Sequence, residues 1–328
     1  MDSQLTQSNS KAISFQLNEG TGGITGMCPC GAFLEMYKID KTFRIQSNQN
    51  IEPQDDDLWI TTPTSDVGTG NRIVARTLLQ NHEILKAAWF EKKINKEAVT
   101  IALHTCKEEL LNCEKIAMKI QAQVNSIVND IEISGLQLEK NGRGYNPFPH
   151  VVDLESNCGN FLMHAKKVIK NISALPHYFI EGCRLHSNFK ILANEFKTTL
   201  GKEHLLTKFT QMNNEIVVKI MSLRNFFEHP EDKKTHIENF KLHSKHIIVV
   251  PQWYVTGEQP RSITEDMNGI VNFLFHLCET FFIHLVMVSL KKGTPYILRE
   301  IQKSERNPEA PIKYNLSLSL CVNMNEYK

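Results

Sequence analysis

The sequence predicts a mainly α protein, a helical bundle with small β additions. Three observations lead there. Apolar residues recur at three- and four-residue spacing through most of the chain after Asn71. Gly- and Pro-containing stretches interrupt that pattern at Gln46–Gly70 and Gly135–Pro149. Strict alternation, the mark of a half-buried strand, is confined to short stretches such as 32–45 and Tyr314–Leu320. With 328 residues, 41% hydrophobic and 22% charged, the chain can bury one or two real cores and does not have a disordered composition.

The elements follow in order. Residues 1–10 are polar and read as a frayed terminus. Gly20–Gly26 is glycine-rich but lacks the spacing of a dinucleotide or Walker loop, and no Lys-Ser/Thr follows, so it reads as a loop. One or two short strands are expected in 32–45. Gln46–Gly70 reads as loop, with Asp55, Asp56 and Asp57 as solvated acids. An amphipathic helix carries Ile73, Val74, Leu78 and Leu85, and a longer one over 95–132 carries Val99, Leu103, Leu110, Ile120 and Val124; together they make a long helical hairpin. Gly135–Pro149 is the candidate linker, separating an N-terminal region (1–140) from a bundle (150–328). Beyond it helices are expected near 154–174, 184–200, 202–228 and 263–291. Between the last two lies a β-like run, Ile247–Val255, broken by Pro251. A hairpin of Tyr296–Ile301 with Ile312–Leu320 closes the chain.

Ile270–Leu290 is long enough to span a bilayer. It also carries Asn272, His276, Glu279, Thr280 and His284 as one narrow polar stripe, and a mid-segment carboxylate costs roughly 2 to 3 kcal/mol in lipid. A buried bundle helix whose stripe faces something polar is expected, with no membrane partner. The start, Met-Asp-Ser-Gln-Leu-Thr, has neither the basic nor the apolar region of a signal peptide. Eight scattered cysteines lack a disulfide-scaffold rhythm, so reduced thiols and a cytoplasmic location are expected.

The net charge of +1 argues against a protein that holds nucleic acid by bulk positive charge. It hides an asymmetry. Residues 1–140 hold 14 basic against 18 acidic side chains, whereas 141–328 hold 23 against 18 and 11 of the 13 histidines. Acid–base chemistry or contact with an anion is therefore sought in the second half.

Two constellations stand out. Cys28-Pro-Cys30 and His104-Thr-Cys106 offer four soft ligands of the kind zinc takes. The other reading is that these thiols pack as small apolar groups, as the one-face spacing of Cys106 and Cys113 implies. The second constellation is Leu223-Arg-Asn-Phe-Phe-Glu-His-Pro230, which closes the helix through Leu205, Phe209, Ile216, Val217 and Ile220. Pro230 forces the preceding residue out of the α region, so His229 sits at a helix C-terminus, where a cation is favoured. Asn225, four residues earlier, can orient the imidazole. Arg224 lies about 140° round an ideal helix from His229, so the two converge only if the helix end bends or a second chain contributes. Glu228, four from Arg224, can make an ion pair on the helix surface.

This octapeptide resembles the Arg, polar residue, any three, His motif of the HEPN superfamily, the higher eukaryotes and prokaryotes nucleotide-binding proteins. Arg76…His82 and Arg143…His150 fit the loose form of the motif, but only Arg224 is followed by Asn. The resemblance covers the second half of the chain. It implies a HEPN-like helical bundle and a metal-independent endoribonuclease without cofactor. Arg224 and His229 would be catalytic, Asn225 the orienting residue, and the active form a homodimer leaving a 2′,3′-cyclic phosphate. A role in a toxin or antiviral system, with RNA as substrate and an antitoxin or regulatory protein as partner, follows from the same resemblance. The chemistry suits these residues: RNA brings its own 2′-OH nucleophile, histidine moves protons near neutrality, and arginine binds phosphoryl oxygens through its fork. Lys233, Lys234, Lys241 and Lys245 follow the motif as either RNA-phosphate contacts or a solvated face. The rival reading of the whole is a non-catalytic bundle that binds nucleotide, RNA or a partner protein.

Overall fold

The alternation after Thr25 forms more strand than expected. The computed structural model describes residues 17–47, 59–243 and 247–318. Strands β1 (Gly26–Cys30), β2 (Phe33–Tyr37), β3 (Thr42–Ser47) and β4 (Trp59–Ser65) form an antiparallel meander in sequence order. Gly31, at φ 68°, makes the tight turn between β1 and β2. One face carries Leu34, Met36, Phe43 and Ile45, which pack with Leu17. The other carries Cys28, Cys30, Glu35 and Tyr37. The expectation of loop throughout Gln46–Gly70 is corrected by β4, which pairs with β3 from Ser47↔Trp59 to Thr42↔Ser65. Pro63 is tolerated because β4 is an edge strand, and Trp59 and Ile60 supply the strand preference. Asp55–Asp57 lie outside the described residues, as do residues 1–10.

The helices follow their apolar periods closely. A π-type turn, Val74–Leu79, runs into α1 (Gln80–Ala87). Helix α2 (Lys96–Ser134) is 39 residues long. Its N-terminus is capped by Asn95, whose Oδ1 accepts the Ala98 N–H at 3.0 Å, and it ends where Gly135 takes a positive φ of 67°. Then come α3 (Leu154–Ala174), α4 (Pro176–Phe179), α5 (Phe189–Thr199), α6 (Leu205–Glu228) and α7 (Ile263–Ser289). Asn188 caps α5 and begins it five residues later than expected. Ser262, with Glu265 three residues on, caps α7.

Helix α2 lies along α3 and α7, and α6 packs on α3, α5 and α7. One hydrophobic cluster includes Cys28 of the sheet, Leu103 and Ile120 of α2, Phe161 of α3 and Phe281 of α7. Gly135–Pro149 is thus a loop within one core, because the apolar stripe of α2 is covered by helices from beyond it. Among the described residues α7 is the helix long and apolar enough to cross a membrane, and 67% of that apolar window is buried inside the protein. Its polar stripe faces polar partners at Glu279 and Asn272, while His284 packs edge-on against Phe209. Arg76 from the π-type turn donates to both oxygens of the fully buried Glu279, through Nε at 2.6 Å and through Nη2, and Arg72 donates to Asn272.

The second half adds short strands. β5 (Thr235–Glu238), β8 (Gln252–Val255) and β9 (Arg261–Ser262) form one sheet, while β6 (Lys241–His243) pairs with β7 (Ile247–Val249). Pro251 separates β7 from β8, as the sequence implied. The terminal hairpin is β10 (Tyr296–Glu300) with β11 (Tyr314–Leu318). The chain is mainly α with small sheets.

Candidate functional site

The end of α6 is held from three sides. Gly159 of α3 lets the Phe227 ring approach so closely that an added Cβ would lie 2.6 Å from it. Thr235 Oγ1 donates to the Leu223 carbonyl at 2.7 Å and fixes β5 against the helix. Pro230 stops the helix. His229 therefore leaves the α region, at φ −129° and ψ 70°, while its N–H still donates to the Asn225 carbonyl at 2.8 Å.

That departure solves the geometric problem posed by the 140° separation. The Arg224 guanidinium pairs through Nη2 with Glu228 Oε2, and His229 Nε2 is 3.8 Å from the same oxygen. Arg224 and His229 thus converge on one anionic oxygen within a single chain. The two differ in setting: the Arg224 side chain is 13% exposed and that of His229 72%. Arg224 Nε is buried and has no hydrogen-bond partner among the described residues. Among the described residues the Asn225 side chain bonds Arg224 rather than the His229 ring, its Oδ1 accepting from Arg224 Nη1 at 3.2 Å.

A further cation borders the site. Lys166 of α3 has its pKa lowered by burial and then by the charges of Arg224 and Lys170. Lys166, Lys170 and Arg224 thus lie along the α3–α6 seam. The two lysines are part of Lys166-Lys167-x-x-Lys170, a signal legible on a helix face. Of the lysines that follow the motif, Lys233 and Lys234 are exposed. Lys241 is instead paired with Glu238 at 2.6 Å, and Lys245 lies outside the described residues.

The soft-ligand set is partly assembled. Cys28 and Cys30 share one face of β1, directly beside Glu35 of β2, and His104 of α2 lies within 4.8 Å of Cys30 and Glu35. Cys106 does not join them; it lies against Cys278 of α7, because two residues along a helix turn it about 200° away from His104. The place next to these residues is taken by Glu35. Its Oε2 accepts from Lys107 Nζ at 2.6 Å and from the Tyr37 hydroxyl, and its Oε1 lies 2.9 Å from His104 Nε2. Burial would raise the Glu35 pKa, but the His104 hydrogen bond and the Lys107 charge outweigh it and hold the carboxyl well below the usual range. The Cys28 thiol is pushed upward by its hydrogen bond with Cys30 and by burial.

Comparison with known proteins gives a short answer. No family model, curated protein or solved structure matches this chain.

Proposed function

We propose that this chain is a HEPN-type, metal-independent endoribonuclease that acts as a homodimer. The observation that carries the reading is the convergence of Arg224 and His229 on a single carboxylate oxygen of Glu228. An oxygen paired with one guanidinium nitrogen, with an imidazole nitrogen 3.8 Å away, marks a place where a phosphoryl oxygen would meet both a cation and a proton-transfer group. The neighbouring Lys166, whose pKa the Arg224 charge helps to lower, adds positive charge near it.

In the proposed reaction the RNA 2′-OH loses its proton to one His229 and attacks the adjacent phosphorus. The 5′-oxygen leaves with a proton from a second imidazole, giving a 2′,3′-cyclic phosphate and a 5′-hydroxyl. Arg224 neutralises the charge gathering on the non-bridging oxygens. One histidine per chain supplies either the base or the acid, so two-fold pairing provides both. Met212 and Ile216, exposed four residues apart on α6, offer apolar surface for that pairing. A toxin or antiviral setting is the corresponding biological role, with RNA as substrate.

The test is cleavage of RNA in EDTA, with circular dichroism recorded in the same buffer. Arg224→Ala and His229→Ala are expected to lose cleavage by two orders of magnitude or more while remaining folded. Activity surviving both substitutions refutes the assignment. One observation favours the rival reading: Glu228 occupies Arg224, as in a bundle that binds anions without cutting. RNA binding that depends on Arg224, without cleavage by the wild type, is the outcome that selects it.

A further inference from the structure

A second site lies at the sheet, away from the helix end and independent of the ribonuclease reading. β1 sends the Cys28 and Cys30 side chains to the same face, two residues apart. Glu35 sits directly opposite Cys28 in the antiparallel register, and His104 reaches down from α2. Cys30 Sγ, a carboxylate oxygen of Glu35 and a ring nitrogen of His104 all lie within 4.8 Å of one another. The Cys28 thiol, on the same face of β1, lies beyond this 4.8 Å group: its Sγ is 3.9 Å from the Pro29 carbonyl, while Cys30 Sγ is 3.6 Å from the Cys28 carbonyl. Cys28, Cys30 and Glu35 are all at most 4% exposed.

We infer that Cys30, Glu35 and His104, which are already gathered, form a binding site for a zinc-class divalent cation that a side-chain rotation of Cys28, next on the same strand face, completes. Two sulfurs, one imidazole nitrogen and one carboxylate oxygen are the donor set a four-coordinate structural zinc takes. The surroundings are arranged for it. Lys107 and Tyr37 both engage Glu35 Oε2, leaving Oε1 directed at His104 as a single-oxygen ligand. Two thiolates and one carboxylate around a dication leave one negative charge, which Lys107, 1% exposed, balances. Arg44 Nη2 is 3.6 Å from Oε1 and its guanidinium lies 3.9 Å over the Phe33 ring; with 34% of its side chain exposed, it is the contact free to withdraw. Binding replaces the His104–Glu35 hydrogen bond and releases both thiol protons to solvent: Zn²⁺ plus two thiols gives a zinc dithiolate and two H⁺. The site would tie the sheet to α2 through strands β1 and β2.

The full chain, stripped of metal, is titrated with zinc against a chromophoric chelator and separately with cobalt(II). The expected result is one zinc per chain, and a cobalt adduct with tetrahedral visible bands and a thiolate-to-cobalt charge-transfer band. Cys30→Ser and His104→Gln should weaken binding at least tenfold, the scale seen when even an outer partner of a metal ligand is lost. Cys106→Ser and Arg224→Ala should leave it unchanged, the latter separating this site from the ribonuclease motif. Absence of stoichiometric binding to the folded wild type overturns the inference, as does cobalt bound without the charge-transfer band. Neither readout needs a variant, so a substitution that fails to fold does not blunt the test.

Discussion

Replacing Glu228 with Gln should make the site bind RNA more tightly. Glu228 Oε2 pairs with Arg224 and lies 3.8 Å from His229 Nε2, so a phosphate docking on those residues meets a negative charge already in place. At an effective dielectric near 20, two unit charges about 5 Å apart repel by about 3 kcal/mol. The Glu228 side chain is 33% exposed, and solvent and salt screening bring the repulsion down to about 1 kcal/mol. That corresponds to roughly a fivefold lower Kd. Folding should barely change, since an i,i+4 ion pair on a helix is worth about 0.3–0.5 kcal/mol and Gln keeps an oxygen acceptor. The assay is fluorescence anisotropy of a short 2′-O-methyl RNA, which cannot be cut, at fixed ionic strength, with Arg224→Gln as the loss-of-binding control. Equal or weaker binding by Glu228→Gln refutes the reasoning, because the carboxylate would then organise the cations rather than compete for them.

Three other predictions concern the frame of the site. Glu279→Ala should cost about 3–5 kcal/mol in denaturant unfolding by leaving Arg76 buried without its partner, and Arg76→Met combined with Glu279→Leu should recover most of it; equal stability of single and double variants contradicts this. Gly159→Ala should destabilise by about 0.5–2 kcal/mol, overpacking against Phe227 outweighing the helix preference of alanine, and Phe227→Leu should relieve it; a stabilising Gly159→Ala would show the α3–α6 approach to be loose. The pKa of His284 is lowered from 6.5 by burial, so its unfolded form takes up protons first and its stability contribution is lost as pH falls from about 6.5 through the folded value. His284 Nδ1 is buried without a partner and the ring packs edge-on to Phe209. His284→Phe should therefore raise Tm and flatten its dependence between pH 7 and 5; an unchanged slope counts against it.

The helices were legible because their apolar spacing is long and regular; α3 and α7 begin at the expected residues, and α7 carries a cap that the sequence displays, Ser262 with Glu265. Strands were less so. β4 was hidden by Pro63, which marks a loop in a central strand and is harmless at an edge. β5 and β6 were hidden by their lysines and histidines, whose charge reads as solvated loop. Single-helix geometry separates Arg224 from His229, and the non-helical conformation of His229 before Pro230 brings both to Glu228. Of the proposed cation site, the Cys-x-Cys pair and the histidine were visible in the sequence. Glu35 depends on strand register, which spacing along the chain does not reveal.

The most direct measurement of the central claim is the chemistry of the ends produced when the purified protein meets RNA without added divalent metal. The account predicts fragments with a 2′,3′-cyclic phosphate and a 5′-hydroxyl, and no cut at a position carrying a 2′-deoxy sugar. It also predicts no fragments from His229→Ala. Fragments ending in a 3′-hydroxyl, cleavage at the 2′-deoxy position, or RNA left intact by the folded wild type would contradict it.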